Sequence, residues 1–250
     1  MIAHSKGIKY TPGTYPNRRS DAAELADKYL REWEQRRIMA KERGPEPVLP
    51  PTICFSRKTG VGALEVAHIL AQRMGYKVVD REILEYIANR ARLSEKTVSL
   101  FDECYPGKIR EFLSLAFGEK AFIKSDYARQ LFSAVFSISG LGPAIFVGRG
   151  AHLLLPRERV LAVRFLCSKP YRIKRLASIL NATEEGAENK LDRIDKEQRD
   201  FFKSVYGKKD ASPYEFDLVI NCDYMNEPDW AAELVALAFK QKFGSETISG

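Results

Sequence analysis

Beyond residue 51 the chain alternates between short apolar runs and longer stretches in which apolar residues recur every three or four positions. The short runs are Thr52–Ser56, Lys77–Asp80, Ala144–Val147, Val160–Cys167 and Asp217–Asn221, and each is predicted to be a strand. Helical spacing covers Gly62–Met74, Arg81–Ala91, Tyr171–Leu180, Thr183–Phe202 and Glu227–Phe243. A further helix is expected from Ser94 as N-cap, and Phe- and Leu-rich helices are expected across 108–138. Apolar strands alternating with helices predict an α/β fold of three layers, α/β/α, built on a parallel sheet.

Residues 1–50 read differently. The first 20 or so are polar and turn-rich and are expected to be mobile. Asp21 can cap a helix running to Arg43, in which Ala22, Leu25, Ala26, Tyr29, Leu30 and Trp33 share one face. The proline-rich stretch from Arg43 to Pro51 then stops the helix and acts as a stiff connector. The expected organisation is an N-terminal helical extension, 1–50, and a main domain, 51–245. The helix is either a strut packed on the main domain or a surface for a second copy or partner.

Composition narrows the classes. An apolar share of 45% and a charged share of 29% are those of a globular protein. The net charge of +7 suits an anionic ligand such as a nucleotide and is too small to argue for nucleic acid. The N-terminus lacks an apolar signal core, and the uncharged run from Gln130 to Gly148 is broken by Gly and Pro, so no membrane span is expected and a cytoplasmic location is. Cys54, Cys104, Cys167 and Cys222 contain no CxxC pair, and His4, His68 and His152 have no ligand spacing. Neither a disulfide framework nor a zinc site is expected.

In a sheet of this kind ligands bind at the carboxyl ends of the strands. Those ends deliver Ser56-Arg57 and a glycine turn, Asp80-Arg81, Gly148-Arg149-Gly150, Ser168-Lys169 and Asn221. The first turn, Ser56-Arg57-Lys58-Thr59-Gly60-Val61-Gly62-Ala63, has the strand–glycine–helix layout of a phosphate-binding loop. Backbone amides and the positive helix end can hold phosphate there. A Walker A loop would place lysine at Ala63 and a hydroxyl at Leu64, so the side-chain half of the cradle is altered. Further on, Arg172 and Arg175 share a helix face, and Arg193, Arg199 and Asp195 follow on the next helix. These are either a solvated, salt-bridged helix pair or a mobile lid whose arginines close over phosphates.

The SRxxGxG turn, Val-Asp-Arg-Glu-Ile-Leu at 79–84, Val-Gly-Arg-Gly-Ala at 147–151 and Asp-Leu-Val-Ile-Asn at 217–221 occur in that order. Together with the Arg-rich helix pair they resemble the cytidylate kinase-like family of P-loop nucleoside monophosphate kinases, over roughly residues 52–243. The resemblance implies a P-loop NTPase-type fold. It also implies transfer of the ATP γ-phosphoryl group, with Mg²⁺, to a nucleoside monophosphate, CMP or dCMP being the expected acceptor. By motif, Ser56 to Ala63 would hold the donor phosphates, with Asn221 near the donor base. Asp80, Arg81, Gly148 and Arg149 would face the acceptor. Arg57, Arg149, Arg172, Arg175, Arg193 and Arg199 would supply the charge around the transferred group, with Asp195 as a lid partner and a lid spanning about 171–210. Nucleotides are the implied partners, and a homodimer is compatible with the extension.

Two positions depart from the family pattern: Ala63 at the lysine position and Val61 between the glycines. Losing one charge-assisted phosphate contact costs about 1.5–3 kcal/mol, one to two decades in binding or rate. The same departures fit an alternative, a nucleotide-binding or regulatory protein that keeps the fold and has lost the chemistry.

Overall fold

The computed structural model describes residues 22–41, 49–89 and 126–244. The expected mobile tail, most of the proline-rich connector, the helix from Ser94 and the first part of 108–138 lie outside the described residues. The elements are α1 (Ala22–Lys41), β1 (Thr52–Arg57), α2 (Ala63–Met74), β2 (Lys77–Asp80), α3 (Arg81–Asn89) and α4 (Asp126–Ser139). They continue with β3 (Ala144–Val147), β4 (Val160–Leu166), α5 (Lys169–Leu180), α6 (Glu184–Tyr206), β5 (Leu218–Asn221) and α7 (Pro228–Phe243). All five strands fall within one residue of their predicted ends, and β2 and β3 match outright. Helix α5 begins two residues early because Ser168 caps it, accepting from the Tyr171 amide, and Pro170 tolerates the first turn. Helix α6 runs past Phe202 to Tyr206 and stops at Gly207, which takes the left-handed conformation.

All five strands are parallel, in the order β2-β3-β1-β4-β5, so the glycine turn leaves the central strand. Alternation along each strand sends side chains to two cores. Ile53, Phe55, Val147, Val163, Phe165 and Ile220 point to one face, under α2 and α7. Cys54, Val79, Phe146 and Ala162 point to the other, under α1, α3 and α4. Fully burying each large apolar side chain contributes about 1.5–3 kcal/mol, so two continuous cores of this size dominate the stability. Helix α1 acts as a strut: Ala26 and Tyr29 are buried in the second core, and Glu32 pairs with Lys77 at the start of β2. Helix α7 packs Ala231, Ala232, Val235 and Phe239 inward. Its outer face is less polar than an amphipathic pattern implies, since Trp230, Leu234 and Leu237 are exposed.

Helices α5 and α6 form a hairpin joined at Asn181, which adopts φ 50°. The pair has a small core of its own, Leu176, Ala177, Ala187 and Leu191. The chain leaving α6 is tied back to the sheet through Glu215, which bonds His152 at 3.3 Å and Lys208 at 2.7 Å. His152 stacks on Phe216, ring centroids 4.7 Å apart.

This tie has a pH dependence. The His152 hydrogen bond, with Lys208 beside it, holds Glu215 down at about 2 against a usual 4.5. Burial lowers His152 below its usual 6.5, so the imidazole is neutral in the fold. The unfolded chain therefore takes up protons at both groups before the folded one does, and stability must fall as pH drops. Urea unfolding should show decreasing stability from about pH 6.5, steepening below 4.5. Stability that stays flat from pH 7 to pH 4 would contradict the neutral buried histidine.

Candidate functional site

The carboxyl ends of β1 and β3 border an open cleft of about 680 Å³, solvent at its mouth included. Its walls include seven basic side chains, Arg57, Lys58, Arg81, Arg149, Arg164, Arg199 and Lys209, against two acidic ones, Asp195 and Asp210. Ser56, Gly148, Gln198, Phe201 and Phe202 complete the lining that matters for shape.

Arg149 is the centre of this arrangement. It follows β3 in the left-handed conformation, φ 53°, between Gly148 at 93° and Gly150 at 68°. Only the middle residue of the three has a side chain, and it is 8% exposed. Its carbonyl accepts a hydrogen bond from the Tyr206 hydroxyl, and its guanidinium bonds Glu85 and lies 4.0 Å from the Phe201 ring centroid. Its Nε, also buried, has no hydrogen-bond partner. Burial, and then the charges of Arg81 and Arg57, pull its pKa well below the usual arginine value. Glu85 also accepts from Arg81 Nε at 2.9 Å, so one carboxylate serves two guanidiniums. The excess positive charge is what an incoming anion would neutralise.

Arg164 adds a cation from an unexpected place, the middle of β4. It sits opposite Ser56 in register and donates to the Ser56 hydroxyl at 2.6 Å and to Asp210 at 3.4 Å. Burial lowers it as well.

The glycine turn contributes backbone. Gly60 and Gly62 have φ 86° and 92°, and Gly62 begins α2 without a capping side chain, the Glu65 amide turning back to the Gly62 carbonyl at 3.0 Å, so the amides ahead of it in the first turn face the helix's positive end uncapped by a side chain. The side chains of Val61, Ala63 and Leu64 pack into the core beneath α2, so what the turn offers is backbone. Helix α5 lies on the turn: a Cβ on Gly60 would approach Arg172 Cβ to 3.2 Å. Arg172 is buried, paired in two-pronged fashion with Asp195 at 2.9 and 2.8 Å, and its Nη1 reaches the Thr59 carbonyl at 3.4 Å. Arg175 sits over Gly62 and pairs with Glu65. On this side a smaller cavity, about 270 Å³, is lined by Val61, Gly62, Glu65, Tyr171, Arg175, Cys222 and Asn226 among others. Thr59 Oγ1, inside the turn, is buried without a partner.

The predicted site residues thus separate. Ser56, Arg57, Lys58, Arg81, Gly148, Arg149, Asp195 and Arg199 meet in the cleft. Val61, Gly62 and Arg175 line the second cavity. Thr59 and Gly60 lie under Arg172, and Ala63 is core. Asp80 caps α3, accepting from the Glu82 and Ile83 amides. Asn221 shapes the turn after β5, its side chain accepting from the Asp223 amide. Arg193, 64% exposed in its side chain, faces Glu197 on its own helix. Sequence reasoning missed Arg164, Lys209, Asp210, Glu85, Phe201 and Tyr206. Arg164 had a signal, a lone charge inside an apolar strand, and Glu85 had another, its i,i+4 spacing from Arg81 on α3; the others depend on how α6 and the chain after it fold over the cleft.

Sheet order, glycine turn and flanking cavities define a kinase-type P-loop α/β fold. The chain belongs to the cytidylate kinase-like family, whose model matches residues 52–224. An uncharacterized protein from Eubacterium ventriosum ATCC 27560 is similar in fold, with a TM-score of 0.59 at 18% identity over 76% of this chain and 98% of that one. A gluconokinase from Sinorhizobium meliloti 1021 is a looser likeness, with a TM-score of 0.44 at 11% identity over 77% and 93% of the two chains. Shikimate kinase from Acinetobacter baumannii in complex with shikimate gives 0.41 at 15% identity over 78% and 96%. No curated protein matches the chain.

Two substitutions test the supports. Asp195→Asn leaves Arg172 buried without its counter-charge and should cost about 3–5 kcal/mol of unfolding free energy. Gly150→Ala forces a Cβ to 2.7 Å from the Tyr206 ring at φ +68° and should destabilise by about 2–4 kcal/mol. Urea midpoints within error of wild type for either variant would remove that contact from the account.

Proposed function

We propose that the chain transfers the γ-phosphoryl group of ATP to a nucleoside monophosphate, with CMP or dCMP as acceptor. The observation that carries this reading is the buried Arg149 with the charges of Arg81 and Arg57 beside it, in a cleft lined by seven basic and two acidic side chains. A dianionic phosphate entering the cleft replaces mutual repulsion with charge-assisted hydrogen bonds. In this reading Arg149 and Arg81 hold the acceptor's phosphate, and Arg57 and Arg199 span from acceptor to transferred group. Lys58, Arg164 and Lys209 add to the field. The amides of residues 59–64 receive the donor phosphates, and the cavity by Tyr171 and Asn226 receives the donor base. Two cavities, one on each side of the glycine turn, support that division.

Phosphoryl transfer asks the protein for position and charge neutralisation more than for covalent chemistry, so no general base is assigned. Mg²⁺ supplies charge neutralisation between donor phosphates when bound. Among the described residues no three carboxylate, histidine or cysteine groups cluster as a preformed metal site, and the Walker hydroxyl position is the buried Leu64. The donor's own phosphates are then the principal ligands, and the arginines take a larger share of the charge. The α5–α6 hairpin, about 171–210, is the lid, with Arg172 and Asp195 fixing its root. Residues 1–50 and 51–245 are treated as extension and catalytic domain.

A second reading, nucleotide binding without turnover, has its own motivation. Arg175 and Glu65 pair across the start of α2, and Val61, Ala63 and Leu64 offer the phosphates no side chain.

A coupled assay of ATP consumption with CMP, dCMP, UMP and AMP tests the proposal, with turnover expected for the cytidine nucleotides. Arg57→Ala should lower kcat/KM by about ten- to a hundredfold with an unchanged unfolding midpoint. Absence of turnover with every acceptor would defeat the enzyme claim. ATP binding under those conditions would favour the second reading.

A further inference from the structure

The four cysteines are far apart in sequence, but the sheet brings two of them together. Strands β4 and β5 pair in parallel with Val163 opposite Leu218, Phe165 opposite Ile220 and Leu166 opposite Asn221. The next position of that register sets Cys167 against Cys222, and the Cys222 amide donates to the Leu166 carbonyl at 2.8 Å. Every second residue on these strands faces the core beneath α7: Val163 and Phe165 on β4, Leu218 and Ile220 on β5. Cys167 and Cys222 continue the two rows and join the same cluster, so both thiols lie on one face. Neighbouring strands run about 4.8 Å apart, inside the Cα separation of about 4.4–6.8 Å that a disulfide spans. Both thiols are reduced in the structure, and Cys54 packs on the opposite face of the sheet.

We propose that Cys167 and Cys222 form a redox-active dithiol that closes to a disulfide across the carboxyl edge of β4 and β5 under a peroxide and reopens with a thiol reductant. Peroxide oxidises the more accessible Cys167 thiol to a sulfenic acid and is itself reduced to water. The Cys222 sulfur attacks the sulfenyl sulfur, the S–S bond forms, and the hydroxyl leaves as a second water with the Cys222 proton. Two thiols thus lose two electrons and two protons to one peroxide. A reductant dithiol returns them.

Burial holds both thiols protonated at neutral pH, Cys167 up at about 12, where the neighbouring Cys222 adds to it, and Cys222 up at about 11. Arg172 and Arg175 on α5 work against this rise, and Asp223 after β5 reinforces it. The pair therefore reacts slowly, under sustained rather than brief oxidation. Its location gives the bridge a readout. Cys222 lines the smaller cavity beside Gly62 and Arg175. The residues just after the pair, Ser168 and Asp223, are already joined by two hydrogen bonds of 2.8 Å. A bridge there fixes the start of α5 to the loop after β5. The chemistry uses only the chain's own thiols and is independent of any phosphoryl transfer.

The test treats the full chain with hydrogen peroxide, alkylates under denaturing conditions and maps peptides without reduction. The expected result is a Cys167–Cys222 crosslink, loss of two of the four alkylatable thiols, a mass lower by two hydrogens, and full recovery with dithiothreitol. Cys167→Ser should abolish the crosslink and leave Cys54 alkylatable. Phenylarsine oxide, which bridges adjacent thiols, should protect the same two cysteines in the untreated protein at one equivalent, which keeps the proposal testable if the variant misfolds. Crosslinks to Cys54 or Cys104, separate over-oxidation of the two thiols without a bridge, or bridging only in urea would overturn it.

Discussion

The structure is organised around a charge imbalance that the fold forces on Arg149. The residue is confined between two glycines, in a backbone conformation that side chains rarely adopt, with Tyr206 against its carbonyl and Phe201 against its guanidinium. It cannot swing out to solvent without undoing these contacts. Arg57 and Arg81 are held close enough to depress it electrostatically, and the Glu85 carboxylate is shared between Arg81 and Arg149. A left-handed arginine, buried beside two other cations, is a costly arrangement for a fold to maintain. Its cost is understandable where an anion completes the set.

The glycine turn depends on a second constraint, the buried Arg172–Asp195 pair. Arg172 belongs to α5 and Asp195 to α6, and Arg172 touches the Thr59 carbonyl, so one ion pair locks the helix hairpin to the turn. Breaking a buried pair is far more damaging than deleting both partners, because the survivor is left charged in a poor solvent. The pair therefore fixes how the hairpin sits against the turn. Arg199 and Lys209, farther along, are placed over the cleft by the same geometry. In the glycine turn and the start of α2 the side chains of Val61, Ala63 and Leu64 are core, and the positive charge stands at the strand ends and on α6.

Much of this was legible in the sequence. Strand positions followed from short apolar runs, and the ligand edge followed from the polar residues that end them. Ser56, Arg57, Arg81 and Arg149 follow from that route and Arg199 from the arginine-rich helix pair, and all five converge in the cleft. The pairings were not legible. Arg172 and Asp195 read equally well as lid charges or as a surface ion pair, because burial is decided by how two helices pack. Arg164 reads as an interruption of a strand until the register sets it beside Ser56. Asn221 sits at a strand end, as expected, yet its side chain is spent on its own turn. The Cys167–Cys222 neighbourhood depends wholly on strand register, which no local pattern encodes.

The most direct test of the central claim asks whether the cleft recognises a phosphate rather than a base. Thermal unfolding of the wild type and of Arg149→Met, each with CMP and with cytidine, separates the two. A ligand at a hundred times its Kd stabilises by about 2.7 kcal/mol, which is several degrees for a chain of this size. The account predicts that CMP raises the wild-type midpoint, that cytidine does not, and that the CMP effect disappears in Arg149→Met. Equal shifts from CMP and cytidine, or a CMP shift that survives the substitution, would contradict it.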